Sequence, residues 1–185
     1  TGKQKVQINE RAALSRVMKL MAVPGSSGRE RAAVEWVRAE LIKAGAKKSR
    51  ISIDNAQKKS PFMKGGGNVG NLIYRMPGTL VGPRRLLLAH IDTVPLCAGS
   101  KPVRKGNRVR SAKKTTALGA DDRTGCSVIL TAALEILKRK LPHPPLTFMW
   151  AIQEEVGLYG VRFCSLGKLG NPKLAFSWDG GTPDK

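Results

Sequence analysis

Acidic residues are scarce in this chain of 185 residues: 13 are Asp or Glu against 33 Lys or Arg, a formal net charge of +20. Such an excess reads as a solvated basic surface and admits anionic partners. Aromatic residues make up 5% and do not interleave with the charges, which excludes a base-stacking platform for single-stranded nucleic acid. Cys97, Cys126 and Cys164 lie far apart with no Cys-x-x-Cys spacing, which excludes a disulfide framework and a zinc ribbon and points to a reducing, cytoplasmic setting. No apolar run reaches the length of a membrane span, and Thr1 to Glu10 carry no secretory apolar region. There is no internal repeat, and a hydrophobic content of 41% suffices for the core of one α/β unit.

Against this background the few acids stand at telling places. The largely apolar run Leu86 to Asp92 reads as a strand buried in a sheet, and His90 and Asp92 are among its last residues. Two residues apart on an extended strand, these side chains project to the same side, where a carboxylate can steer an imidazole. Gly119-Ala120-Asp121-Asp122 opens a helix, Gln153-Glu154-Glu155 closes a strand, and Trp178-Asp179-Gly180-Gly181 closes another.

The remaining chain reads as scaffold. Leu14, Val17, Met18 and Met21 recur at helical spacing until Pro24-Gly25. Ser27-Gly28-Arg29-Glu30 has the Ser-x-x-Glu form of a capping box, before a second helix carrying Val34, Val37 and Leu41. Ile51 to Ile53 and Asn71 to Tyr74 read as strands, and Gln57 to Ser60 as a polar loop. Gly65-Gly66-Gly67 lacks the Gly-Lys-Ser/Thr of a phosphate loop and reads as a flexible turn. Lys101 to Lys114 is a basic loop or hairpin able to hold an anionic group. Asp121 or Asp122 can cap the helix whose core stripe is Ile129, Ala133, Ile136 and Leu137. A strand from Leu146 to Gln153, a helix from about Leu158 to Leu166 and a strand from Leu174 to Trp178 complete the order. His143 lies about ten extended residues before Glu154, roughly 30 Å away, and belongs to the opposite sheet edge.

Adjacent carboxylates at the end of a buried strand repel each other and lose hydration, so Glu154 and Glu155 call for cations or shifted pKa values. Four sheet-edge segments deliver His90, Asp121, Glu155 and Asp179, a donor set that suits zinc, and also cobalt or manganese. Asp121 can bridge two metal ions, and Glu154 can shuttle a proton while Glu155 points elsewhere on the extended chain.

His-Ile-Asp-Thr-Val-Pro at 90–95, Gly-Ala-Asp-Asp-Arg-Thr-Gly at 119–125, Glu-Glu-Val-Gly at 154–157 and Asp-Gly-Gly at 179–181 together resemble the co-catalytic zinc exopeptidases typified by peptidase T, carboxypeptidase G and the desuccinylases. The resemblance implies a three-layer α/β sandwich with a mostly parallel central sheet and helices on both faces. It implies that His90 binds one zinc and Glu155 the other, Asp121 bridges them, Asp179 completes the His90 side, Glu154 is the general base and Asp92 orients His90. It also implies a cis peptide after Asp121 and a peptide or N-acyl amino acid substrate. Members carry a lid domain, through which they form homodimers, and a later segment with a final His ligand. Residues 1–185 are therefore expected to be the N-terminal part of the catalytic domain, with little activity alone.

Two alternatives remain open. Asp-Asp-Arg-Thr-Gly-Cys and Glu-Glu-Val-Gly-Leu-Tyr-Gly also resemble the glutamyl aminopeptidase family, so amide hydrolysis is the common expectation. A non-catalytic basic module binding nucleic acid fits the charge, but such a module has no need for Glu154 beside Glu155.

Overall fold

The computed structural model describes residues 6–179. In chain order it has α1 (Glu10–Ala22), α2 (Arg31–Lys43), β1 (Ile51–Ile53), α3 (Ala56–Lys59), β2 (Leu72–Met76) and β3 (Arg85–His90). There follow β4 (Pro102–Lys105), β5 (Arg108–Ser111), α4 (Ala120–Arg139), β6 (Leu146–Ala151), α5 (Tyr159–Arg162), α6 (Leu166–Leu169) and β7 (Leu174–Ser177). Among the described residues no helix is long and apolar enough to cross a membrane.

Five strands form one sheet in the order β1-β2-β6-β3-β7. β6 pairs with β3 in parallel, as does β3 with β7, while β1 with β2 and β2 with β6 are antiparallel. The sheet is thus mixed rather than mostly parallel. Only β2 runs against the others, and the cause lies in the link from β2 to β3: residues 77–84 hold no helix and are too short for a parallel crossover of a dozen or more residues.

The principal core fills the face covered by α1, α2 and α4. Leu72, Tyr74, Ala89, Phe148 and Trp150 from the strands meet Leu20, Val34, Val37, Leu41, Ile129, Leu130 and Ala133 from the helices. Tyr74, Phe148 and Trp150 stack across the sheet at centroid separations of 6.0 and 6.3 Å. The opposite face is covered more thinly, with Ile73, Leu86, Met149 and Ala151 packed on Leu169 of α6. All six residues of β6 are buried, in keeping with a central strand covered on both faces.

The helix expected from about Leu158 to Leu166 is two single turns, α5 and α6. Buried Asp54 explains the break, because its Oδ2 accepts the Ser165 amide at 3.1 Å and draws the chain out of helical register. The basic stretch resolves as the β4–β5 hairpin, with Arg104, Lys105, Arg108 and Arg110 all exposed.

Candidate active site

β3 delivers His90 buried at its C-terminal end, and Asp92 follows, fully buried. The shared projection expected of the pair is present: His90 Nδ1 lies 3.3 Å from Asp92 Oδ1. Asp92 is held in turn by the Ser27 hydroxyl, which donates to Oδ2 at 2.7 Å, and by the Glu154 and Glu155 amides. Burial alone would raise the Asp92 pKa, but these hydrogen bonds and the His90 charge outweigh it and hold the carboxyl below its usual range.

The start of α4 brings Asp121 and Asp122 to the same place by departing from helical geometry. Asp121 has ψ 115°, and the Asp121–Asp122 peptide is cis, as the resemblance implies. The two acids divide their tasks. Asp122 Oδ1 accepts the Gly125 amide at 2.9 Å, an N-cap bond, and its Oδ2 accepts the His90 amide at 3.3 Å. Asp121 is left to face His90, with Oδ1 3.2 Å from Nε2. Arg123, almost wholly buried, anchors this turn by donating to the Leu20 and Gly25 carbonyls.

Glu154 and Glu155 stand beyond the end of β6, in a turn entered through Gln153 at φ 53°. This corrects the expectation that they lie on extended backbone facing opposite ways: the turn sets both side chains, and both amides point at Asp92. Glu154 Oε2 and Asp179 Oδ1 each lie 3.7 Å from His90 Nε2. Ligand atoms of His90, Asp121 and Glu155 all fall within 4.8 Å of one another. Gly180 and Gly181 of the Asp-Gly-Gly motif lie outside the described residues. His143 packs at the other sheet edge, where its carbonyl accepts the Thr79 and Leu80 amides.

Electrostatically the cluster is unbalanced. Among the described residues the ion-pair partner of Asp121 and of Glu154 is His90, although the chain carries 33 Lys and Arg. Burial disfavours the charged imidazole, yet Asp92, Asp122 and Glu154 overcome this and lift the His90 pKa to about 9. Burial, reinforced by the neighbouring carboxylates, raises Glu154 and Glu155 and pushes Asp122 to about 7. One imidazole nitrogen and converging carboxylate oxygens, with the other nitrogen 3.3 Å from Asp92 Oδ1, are a donor set that fits a hard or borderline divalent cation once the ring gives up its proton. A cleft lined by Asp121, Asp122, Thr124, Gly125, Trp178 and Asp179 opens beside it.

The model of peptidase family M20/M25/M40 matches residues 86–182, the stretch that supplies His90, Asp121, Glu155 and Asp179. The chain belongs to this family. Relatives agree with that membership. A Bacillus subtilis protein, YqjE, described as uncharacterized, is 28% identical over 156 residues, covering 84% of this chain and 39% of its own length. A tripeptidase from Staphylococcus aureus superposes with a TM-score of 0.84 at 26% identity, covering 96% of this chain and 45% of that one. Aminopeptidase PepT from Bacillus cereus shares the fold, with a TM-score of 0.82 at 24% identity over 95% of this chain and 44% of its own. The chain thus spans less than half the length of each of these proteins.

Glu30 is the residue near the M20 site that sequence reasoning misplaced. It forms no capping box: Ser27 turns to Asp92, and Glu30 is buried with Oε1 accepting the Gly28 amide at 2.7 Å and the Gln153 amide at 3.2 Å. Burial, with the Asp92 charge adding to it, raises the Glu30 pKa to about 7. The Ser-x-x-Glu spacing was a signal for these two residues, but Ser27 serves a tertiary contact with Asp92, and Glu30 joins the local Gly28 amide to the distant Gln153 amide.

Proposed function

We propose that this chain carries the metal-binding part of an M20 exopeptidase that hydrolyses a peptide amide. The convergence of His90, Asp121 and Glu155 ligand atoms within 4.8 Å is the observation that carries this reading. In it His90, Asp121, Glu155 and Asp179 would hold two zinc ions, with Asp121 as the ligand common to both. Zinc bound there supplies Lewis-acid chemistry toward a carbonyl and lowers the pKa of water. Glu154 acts as general base: its carboxylate takes the proton from the attacking water and passes it to the departing amine nitrogen. Asp92 fixes the His90 ring by holding Nδ1.

The name of the tripeptidase supports a short peptide as the substrate, and the family supports a remainder of the protein that supplies a lid, a dimer contact and a further His ligand. Three free thiols support a cytoplasmic setting. Metal analysis after zinc loading and desalting, together with peptide hydrolysis, tests the reading on the wild type and Asp121→Ala. Retained zinc in the wild type and its loss in the variant are expected; equal zinc in both would overturn the shared-ligand role of Asp121.

The exposed cations of the β4–β5 hairpin favour a second reading, a polyanion-binding module on the same fold. Nucleic-acid binding that falls steeply with salt, with no retained metal, is the result that would favour it.

A further inference from the structure

The four amides from Ile152 to Glu155 are each accepted by a side-chain oxygen after the β6 strand ends. Ile152 donates to Asn71 Oδ1 at 3.0 Å, Gln153 to Glu30 Oε1 at 3.2 Å, Glu154 to Asp92 Oδ1 at 3.0 Å and Glu155 to Asp92 Oδ2 at 3.2 Å. All three acceptor residues are fully buried. A chain leaving a sheet normally gives such amides to water or to neighbouring backbone. Here a row of fixed acceptors sets the path of the turn that presents Glu154 and Glu155.

Gln153 is the pivot of this row. It is a non-glycine residue in the left-handed region, a conformation that persists only where the surroundings over-determine it. Glu30 holds its amide, and the Gly66 carbonyl accepts its side-chain Nε2 at 3.0 Å. Gly66 and Gly67 of the glycine turn therefore form a packed clamp on Gln153, while Gly65 stays exposed. A Cβ on Gly66 would overlap the Gln57 carbonyl, and one on Gly67 would crowd the Gln153 amide group. The loop of Glu30 is tied to the same place, because the Gly28 carbonyl accepts the Asn68 amide at 3.1 Å.

We propose that Glu30 is a positioning residue for Glu154 and Glu155, acting through the Gln153 amide and not by contact with substrate. The proposal rests on the reading of Glu154 and Glu155 as site residues, but its primary test does not need turnover. Amide hydrogen exchange on the whole chain compares the wild type with Glu30→Ala and Glu30→Gln, since glutamine keeps an acceptor oxygen. Exchange at Gln153, Glu154 and Glu155 is expected to rise about tenfold or more in Glu30→Ala, with Thr147 to Ala151 unchanged and glutamine restoring protection. Zinc affinity, read by chelator competition, is expected to fall about 10- to 100-fold in the alanine variant alone.

Unchanged exchange in Glu30→Ala would overturn the proposal, as would equal acceleration along all of β6, which marks a merely structural role. If the alanine variant does not fold, Glu30→Asp, which keeps the charge one methylene shorter, carries the same test, and wild-type exchange there is the overturning result. Selective acceleration, with no peptide hydrolysed even by a chain extended through the rest of the catalytic domain, would support the positioning role while sinking the peptidase reading.

Discussion

Asp92 and Glu154 are joined by a 3.0 Å hydrogen bond from the Glu154 amide to Asp92 Oδ1, the same oxygen that lies 3.3 Å from His90 Nδ1. One buried atom therefore sets both the imidazole and the backbone of the neighbouring acid. Asp92→Ala removes the ion-pair partner of His90 Nδ1 and the acceptor for the Glu154 and Glu155 amides and the Ser27 hydroxyl together. A stability loss of about 3 kcal/mol or more is expected, with weaker zinc binding by about 10- to 100-fold. Urea unfolding and metal competition measure the two effects separately.

The glycine clamp makes a paired prediction. Gly65 and Gly66 have φ of 84° and 85°, so alanine at either meets the same backbone cost of about 1 kcal/mol. Space distinguishes them: nothing lies within 4 Å of a Cβ on Gly65, whereas one on Gly66 overlaps the Gln57 carbonyl. Gly66→Ala is expected to lower the melting temperature well beyond Gly65→Ala in thermal denaturation. Equal shifts would mean that the clamp is not tightly packed.

Glu30 gives the metal-free protein a pH-dependent stability. Its folded pKa of about 7 lies above the ordinary glutamate value of 4.5, so between these values the folded state binds more protons than the unfolded state. Stability from this group is thus present below about pH 4.5 and is lost as pH rises through 7, by an amount on the order of 3 kcal/mol. Glu30→Gln is expected to flatten that part of the stability profile. Denaturant midpoints from pH 4.5 to 8 check it, and a wild-type slope in the variant would refute the assignment.

Arg123 ties the first turn of α4 to the end of α1 through the Leu20 and Gly25 carbonyls, at 3.0 and 3.4 Å. Arg123→Met leaves two buried carbonyls without these donors and is expected to cost about 2 to 4 kcal/mol. Arg123→Lys is not expected to recover it, because an ammonium cannot reproduce the planar fork. Urea unfolding of the two variants provides the measurement.

Much of the site was legible because its residues are chemically out of place where they stand. Acids at strand and helix ends, in a chain with 13 of them, marked Asp121, Glu154, Glu155 and Asp179, and the apolar run before it marked His90. Which of Asp121 and Asp122 caps the helix was not legible, since either can. It is decided by backbone dihedrals that turn Asp122 toward the Gly125 amide and Asp121 toward His90.

Hydrophobic periodicity and end signals by themselves determined the two N-terminal helices, the buried strands β3 and β6 and the sheet edge on which the reactive residues gather, because those features depend on neighbours a few residues apart. Tertiary structure alone decided the reversed direction of β2, the break between α5 and α6, and the partners of Glu30. Glu30 and the Gln153 amide are 123 residues apart, and a hydrogen bond between them exists only once β6 has carried Gln153 beneath the loop that holds Glu30. Local pattern can place an acid near a helix start; which amide it finally accepts is set by the packing of the whole sheet against its helices.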